Sequence, residues 1–313
     1  MARLMLVANP AASQFTGGDH RQIVGMLSRE HMVEAVWPNS AADARVIAAD
    51  AVTAGFDGVV AMGGDGIVHQ VAQSLVGTDV FLGVLPAGTP NVFARQIGLP
   101  NRATRAARLL AAAPAPVQHP VVTVEGSSPD GEKGTHHAVF AVGAGVDADI
   151  VTAAETEPYR KYRFGAVHYA RTAISLLWRD LRRRRPDMTV EADDGRTGGA
   201  IGVMAQFHPA FTYFGRRPLR FTTAPPEPMT LLVMERLRMR RLPSLLGHVI
   251  AGASLDRVGG LEVWDRVEAF TLASPRPFQM EADGELVGPF TRATVRFRPD
   301  ALWVASPLPA HSA

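Results

Sequence analysis

The sequence predicts an α/β N-terminal domain built on a parallel sheet, followed by a mainly antiparallel β-sandwich. Three observations predict it. Apolar runs alternate with helical patterns over residues 1–117, short β-type runs separated by turn residues fill 118–299, and the texture changes in the Pro/Ala-rich stretch AAAPAPVQHP at 111–120. Strand–helix alternation argues for a parallel sheet covered on both faces. Many short strands with turns between them argue for packed antiparallel sheets. The length of 313 residues agrees, because one hydrophobic core seldom serves so long a chain.

In chain order, residues 4–8 form the first expected strand, 21–29 a helix and 32–37 a strand. Residues 41–54 form an alanine-rich helix with Ser40 placed as its N-cap. Strands at 59–62 and 80–85 lead into helices at 67–75 and 91–97. In the second domain, strands are expected at 121–124, 137–142, 188–191, 200–207, 229–234, 268–272, 278–282 and 294–298. A helix at about 166–183 and a second at 245–251 interrupt them, and SSPDGEKG at 127–134 is a polar hairpin loop.

Composition narrows the function classes. A hydrophobic content of 47% and a charged content of 20% suit an ordinary globular protein. The absence of cysteine excludes disulfides and thiolate metal sites. The opening MARLMLVANP is too short to span a membrane and reads as a strand rather than a signal, so a cytoplasmic protein is expected. Net charge is only +2, yet arginine clusters in RDLRRRR (179–185) and RLRMRR (236–241). Each cluster is either a solvated face or an attraction to phosphate on anionic lipid or nucleic acid. An aromatic content of 7% and the lack of a recognition motif argue against nucleic acid.

The segment AMGGDGIVHQVAQSLVG (61–77) carries the chemistry. Glycine costs roughly 0.5–1 kcal/mol inside a helix or strand, so three of them at a strand-to-helix junction need a reason. Gly63-Gly64-Asp65-Gly66 lies at the carboxyl end of a strand, where parallel α/β sheets bind ligands. Bare backbone lets a phosphate approach, and the following helix offers free N–H groups and a positive dipole end. Asp65 would repel that phosphate, so it either meets an intervening cation such as Mg²⁺ or holds loop N–H groups. A second loop, Pro86-Ala87-Gly88-Thr89-Pro90-Asn91, follows the next strand, and Asn9-Pro10 closes the first in the same way. The chain has no GxxxxGK[ST], no GxGxxG after its first strand and no HExxH, and neither Ser13 nor Ser74 sits in a nucleophile elbow. His136-His137 is read as hairpin surface.

These residues resemble the diacylglycerol kinase catalytic-domain family, which includes sphingosine kinases and bacterial lipid kinases. The resemblance rests on Asn9-Pro10, on Gly63–Gly66, on Pro86–Asn91 with Ala94, and on Asp283-Gly284-Glu285 in FQMEADGELVG. It implies an N-terminal domain like that of NAD kinase and phosphofructokinase, with the tail at about 300–313 returning to it. It implies ATP with Mg²⁺, bound by Asn9, Pro10, Ser40, Gly63, Gly64, Asp65, Gly66, Gly88, Thr89 and Asn91. It further implies a lipid in the β domain, diacylglycerol-like, with Asp283 as general base for its hydroxyl, supported by Glu285. Peripheral membrane association through the two arginine clusters and a homodimer formed through exposed strand edges are expected with it. The sequence departs from the family at Ile67 and Gln70, where Thr and Glu are usual, and at Ala11-Ala12-Ser13, where a glycine-rich turn is usual. In APPEPMTLL (224–232) Glu227 is the only acid, so no structural metal is expected there. Two alternatives stay open: an NAD kinase-like enzyme, which would carry an Asn-Glu pair that is missing here, and a non-catalytic lipid- or nucleotide-binding relative, which Gln70 motivates.

Overall fold

The computed structural model describes residues 1–112, 115–146, 148, 186–215, 217–223, 226–236 and 241–307. The expected helix at 166–183, the arginine cluster 179–185 and residues 237–240 of the second cluster lie outside the described residues. The chain forms two compact units, Met1–Val121 with Arg298–Ala313, and Val122–Phe297.

The first unit is built on four parallel strands in the order β2 (Met32–Val36), β1 (Arg3–Ala8), β3 (Gly58–Gly63) and β4 (Phe81–Pro86). Every residue of β3 is buried, as a strand covered on both faces requires. Helices α1 (Gly17–Leu27) and α5 (Ala103–Ala111) pack together, as do α2 (Ala41–Thr53) and α3 (Asp65–Leu75). The short α4 (Val92–Gln96) follows β4. Thr16 and Ser40 cap α1 and α2 by accepting from Asp19 N at 3.0 Å and Asp43 N at 3.1 Å.

Several boundaries differ from those expected. Helix α1 starts four residues earlier, because the Thr16 cap outweighs the poor helix propensity of Gly17 and Gly18. Helix α3 begins at Asp65, so the last two residues of GGDG belong to its first turn and Gly64 is its N-cap. An acid in that turn suits the helix dipole. Helix α5 had no counterpart in the sequence reading. Its buried face is Ala103, Ala106, Ala107 and Leu110, and three alanines carry too little hydrophobicity to signal a stripe.

The second unit holds two antiparallel sheets. One contains β5 (Val117–Ser127), β6 (Lys133–Ala138), β8 (Met188–Ala192), β9 (Thr197–Ala200), β15 (Ala269–Phe278) and β18 (Phe290–Val304). The other runs β14 (Leu261–Val267), β13 (Met229–Met234), β10 (Gly202–Gln206), β7 (Ala141–Gly145), β16 (Met280–Ala282) and β17 (Glu285–Leu286). One core joins them, with Val122, Val190, Val295 and Leu272 from the first sheet and Val203, Leu231, Val233 and Met280 from the second. Each such side chain stabilises the fold by about 1.5–3 kcal/mol. A two-stranded ribbon, β11 (Thr212–Phe214) with β12 (Arg217–Leu219), and helix α6 (Leu242–Ala251) complete the described part. Strands β5 and β18 run across the boundary between units, and Val304 at the end of β18 pairs with Leu82 of β4. The single strand expected at 137–142 is two strands, broken at Val139 and Phe140.

Candidate active site

The carboxyl ends of the parallel strands gather the polar loops of the first unit. Pairing of Ala8 with Met62 and of Gly63 with Pro86 sets the ends of β1, β3 and β4 level. Past those ends the ladder continues, through Asn9 N to Met62 O at 2.9 Å and Ala87 N to Gly63 O at 2.8 Å. Asn9 Oδ1 accepts from Ala11 N at 2.9 Å, which turns the chain after β1.

The two glycine loops touch through backbone. A Cβ on Gly88 would sit 2.5 Å from Gly64 Cα and 3.0 Å from Gly64 N, so no other residue fits at 88. A Cβ on Gly64 would meet Gly88 Cα at 3.6 Å, an ordinary contact. Steric need therefore explains Gly88 but leaves Gly64 unexplained by the fold. Gly63 has a steric reason of its own: its Cβ would lie 2.7 Å from Ile67 Cγ2. Ile67 is buried, and its methyl fills the space over Gly63.

Asp65 ties the loops together. Its Oδ2 accepts from Val92 N at 2.9 Å and its Oδ1 from Phe93 N at 3.2 Å, so the acid caps the amino end of α4. Of the two roles the sequence left open for Asp65, the holding of loop N–H groups is the one visible. Asn91, buried and at φ 55°, donates from Nδ2 to Gly88 O at 2.7 Å and to Asn101 Oδ1 at 2.8 Å, while its Oδ1 accepts from Gly88 N at 3.0 Å. Asparagine tolerates this left-handed backbone better than most residues. Thr89 precedes a cis peptide bond to Pro90, and its Oγ1 accepts from Gln14 Nε2 at 3.3 Å. Ser40 lies beyond β2 with its Oγ engaged as the α2 cap. Gly66 and Gln70 are half-buried in α3.

Sequence reasoning missed Gln14. Its N–H donates to Ala87 O at 2.8 Å and its Nε2 to Gly88 O at 2.7 Å, so the loop after β1 is fastened to the second glycine loop. No motif marks such a residue, since its partners are backbone carbonyls far along the chain. An aromatic group stands on the same side of the sheet. Trp37, 54% exposed just after β2, donates from Nε1 to His20 Nε2 at 3.4 Å, and Phe15 lies 5.9 Å from the His20 ring. Burial and the neighbouring Arg21 charge lower the His20 pKa, which keeps Nε2 able to accept.

In the second unit Asp283 is buried at φ 58° in the turn between β16 and β17. Its Oδ1 accepts from Val139 N, Phe140 N and Ala141 N at 3.0, 2.8 and 3.2 Å, and Oδ2 from Val139 N at 2.9 Å. This clasp is the physical reason that the expected strand 137–142 breaks: its central amides turn from ladder partners to the carboxylate. Gly284 N donates to Glu281 Oε2 at 2.6 Å, so a second buried acid, one the sequence did not single out, shapes the same turn. Glu285 is half-buried in β17 and pairs with Ala282. A non-glycine residue in the left-handed region costs roughly 1–3 kcal/mol and persists where surrounding structure fixes it. Asn91 and Asp283 are two of three such residues among those described.

Among the described residues no cluster of three or more His, Asp or Glu side chains could hold a metal. Each Asp65 oxygen accepts one backbone N–H, and a carboxylate oxygen carries two lone pairs.

Residues 3–119 match the model of the diacylglycerol kinase catalytic domain. That match takes in nearly all of Met1–Val121 of the first unit. A "Diacylglycerol kinase" of Mycobacterium tuberculosis strain H37Rv is 43% identical over 88 residues, which is 28% of this chain and 28% of that protein. A "Probable lipid kinase YegS-like" of Pseudomonas putida strain KT2440 is 40% identical over 87 residues, 27% of this chain and 29% of that protein. The match thus spans less than a third of the length of these curated relatives. Among solved structures, a Bacillus anthracis strain Sterne chain covers 97% of this one and 95% of its own length at TM-score 0.75 and 16% identity. An Archaeoglobus fulgidus NAD kinase in complex with ATP covers 97% and 93% at TM-score 0.50 and 13% identity. At such identities these likenesses concern the fold, which is that of diacylglycerol and NAD kinases, as the sequence implied.

Proposed function

We propose that this protein is a lipid kinase that transfers the γ-phosphoryl group of ATP to the hydroxyl of a diacylglycerol-like lipid. The observation that carries the reading is the backbone contact between Gly64 and Gly88 at the carboxyl end of a parallel sheet. Two loops held at that distance, with Asp65 bracing one against the helix that follows the other, offer the amino end of α3, whose N-cap Gly64 has no side chain, to a polyphosphate. In this reading Gly64 and Gly66 admit the phosphates, Gly63 makes room for Ile67 beneath them, and the Thr89 hydroxyl and the Asn9-Pro10 turn border them. Asn91, Asp65 and Gln14 keep the loops in place. Mg²⁺ arrives with ATP as part of the substrate.

Phosphoryl transfer needs positioning and charge neutralisation more than covalent help, with one acceptor to orient the nucleophile. Asp283 is proposed as that acceptor. The lipid hydroxyl gives its proton to the Asp283 carboxylate, its oxygen bonds to the γ-phosphorus, and the bond from that phosphorus to the bridging oxygen breaks to release ADP. Three consecutive amides fix the carboxylate, so little reorganisation accompanies proton transfer. Glu285 is proposed to orient the turn that carries it.

Calorimetric titration with ATP tests the nucleotide half. Gly64→Asp places a carboxylate beside the proposed phosphate position, and its Cβ meets only an ordinary contact, Gly88 Cα at 3.6 Å. Loss of ATP binding with an unchanged unfolding transition is the expected result. Equal affinity in the wild type and this variant would overturn the assignment of the loop.

A further inference from the structure

The outward face of α5 is unlike the rest of the first unit. Buried Ala103, Ala106, Ala107 and Leu110 occupy one side, while Arg102, Arg105 and Arg108 stand exposed on the other, one helical turn apart, with Leu109 38% exposed beside them. None of the three arginines makes an ion pair among the described residues. Nor can one come from nearby in the chain, because residues 80–124 contain no Asp or Glu. Helix α1, which packs against α5, carries one acid, Asp19, and Glu30 after it shares a cleft with Ala111 and Ala112 at the opposite end of α5 from Arg102. A solvated face usually mixes charges of both signs. This face carries one sign.

The stripe also has a defined address. Arg102 starts α5 immediately after Asn101, whose Oδ1 accepts from Asn91 of the second glycine loop at 2.8 Å. The cationic row therefore begins beside the candidate phosphate-binding loops.

We propose that the outer face of α5 is a docking surface for an anionic lipid bilayer. Arg102, Arg105 and Arg108 meet headgroup phosphates, and Leu109 enters the interface between them. Charge complementarity selects this occupant. An uncompensated row of guanidinium groups with an apolar residue in its midst is the pattern of a helix lying on an anionic membrane, and the planar fork of each group matches phosphate oxygens. The inference goes beyond the proposed kinase activity, and nothing in it requires ATP. It locates membrane contact on a helix of the first unit.

Sedimentation with vesicles tests it, with no nucleotide present. The full chain should bind phosphatidylcholine vesicles containing a third phosphatidylglycerol and ignore pure phosphatidylcholine. Binding should weaken as salt shortens the Debye length from about 10 Å at 0.1 M to about 3 Å at 1 M. Replacing all three arginines by glutamine should lower the affinity by about a hundredfold, on the usual contribution of one basic residue near such a surface. Replacing all three by lysine should keep most of it, which separates loss of charge from loss of fold. Equal binding to both vesicle types, full affinity in the glutamine variant, or displacement of the vesicles by single- or double-stranded nucleic acid would each overturn the proposal. A protein that binds these vesicles and transfers no phosphate would refute the kinase reading and leave this one standing.

Discussion

Asp283 and Asp65 show how a carboxylate acquires meaning from its partners. Both accept backbone N–H groups, yet one caps a helix and the other breaks a strand. Hydrogen bonds to a charged group contribute about 1.5–3 kcal/mol, so Asp65→Ala should lower stability by about that amount in denaturant titrations. It should also weaken ATP binding, because α4 and the second glycine loop lose their brace. Asp283→Asn keeps one acceptor oxygen but sets an amide against the Val139 N–H. We expect a stability loss of about 1–3 kcal/mol, with transfer activity falling by about 10²–10⁴ if Asp283 is the base. Retained activity in a folded Asp283→Asn protein would remove it from that role. His20 gives a pH prediction. Its folded pKa is below the ordinary 6.5, so the neutral ring is the stabilising form. Its contribution is present above pH 6.5 and is lost as pH falls through the lowered folded value. Acidification across that window should therefore release the Trp37 indole and alter its fluorescence, and the change should disappear in His20→Gln. The same titration in both proteins would show that His20 is not the group responsible.

At the scale of elements, the pair Gly64 and Gly88 separates fold from function. Gly88→Ala forces the two loops apart and should cost about 1–3 kcal/mol, as overpacking does. Gly64→Ala meets only ordinary contacts and should leave the unfolding midpoint unchanged while reducing ATP affinity. The opposite ranking in thermal melts would mean that the loop contact is mis-assigned. Most of the first unit was legible in the sequence because β1, β3 and β4 are nearly continuous apolar runs and Ser40 stands at a standard cap position, whereas the Thr16 cap of α1 went unread. The GGDG and P-x-G-T-x-N loops could be placed for the same reason. What escaped was written in alanine or in backbone. Helix α5 hides behind Ala103, Ala106 and Ala107. The Gln14 tether joins residues more than seventy positions apart. The break at Val139 and Phe140 comes from a carboxylate in a distant turn, which no local pattern announces.

For the whole molecule, the two-part organisation follows from a change of texture that composition makes visible: strand–helix alternation gives way to short strands and turns. Each unit supplies one half of the proposed chemistry, bare backbone for phosphates in the first and a fixed carboxylate in the second. The identity of the lipid was not legible, because a sandwich lines its interior with side chains scattered along the chain. The central claim, that this chain transfers phosphate to a lipid hydroxyl with Asp283 as the base, is tested most directly by following labelled γ-phosphate from ATP in the presence of Mg²⁺ and a mixed lipid extract, beside Asp283→Asn. Label in a chloroform-soluble product that the variant fails to make is the predicted result. Label that stays in water-soluble material, as with NAD as acceptor, or that reaches lipid equally in both proteins, would contradict it.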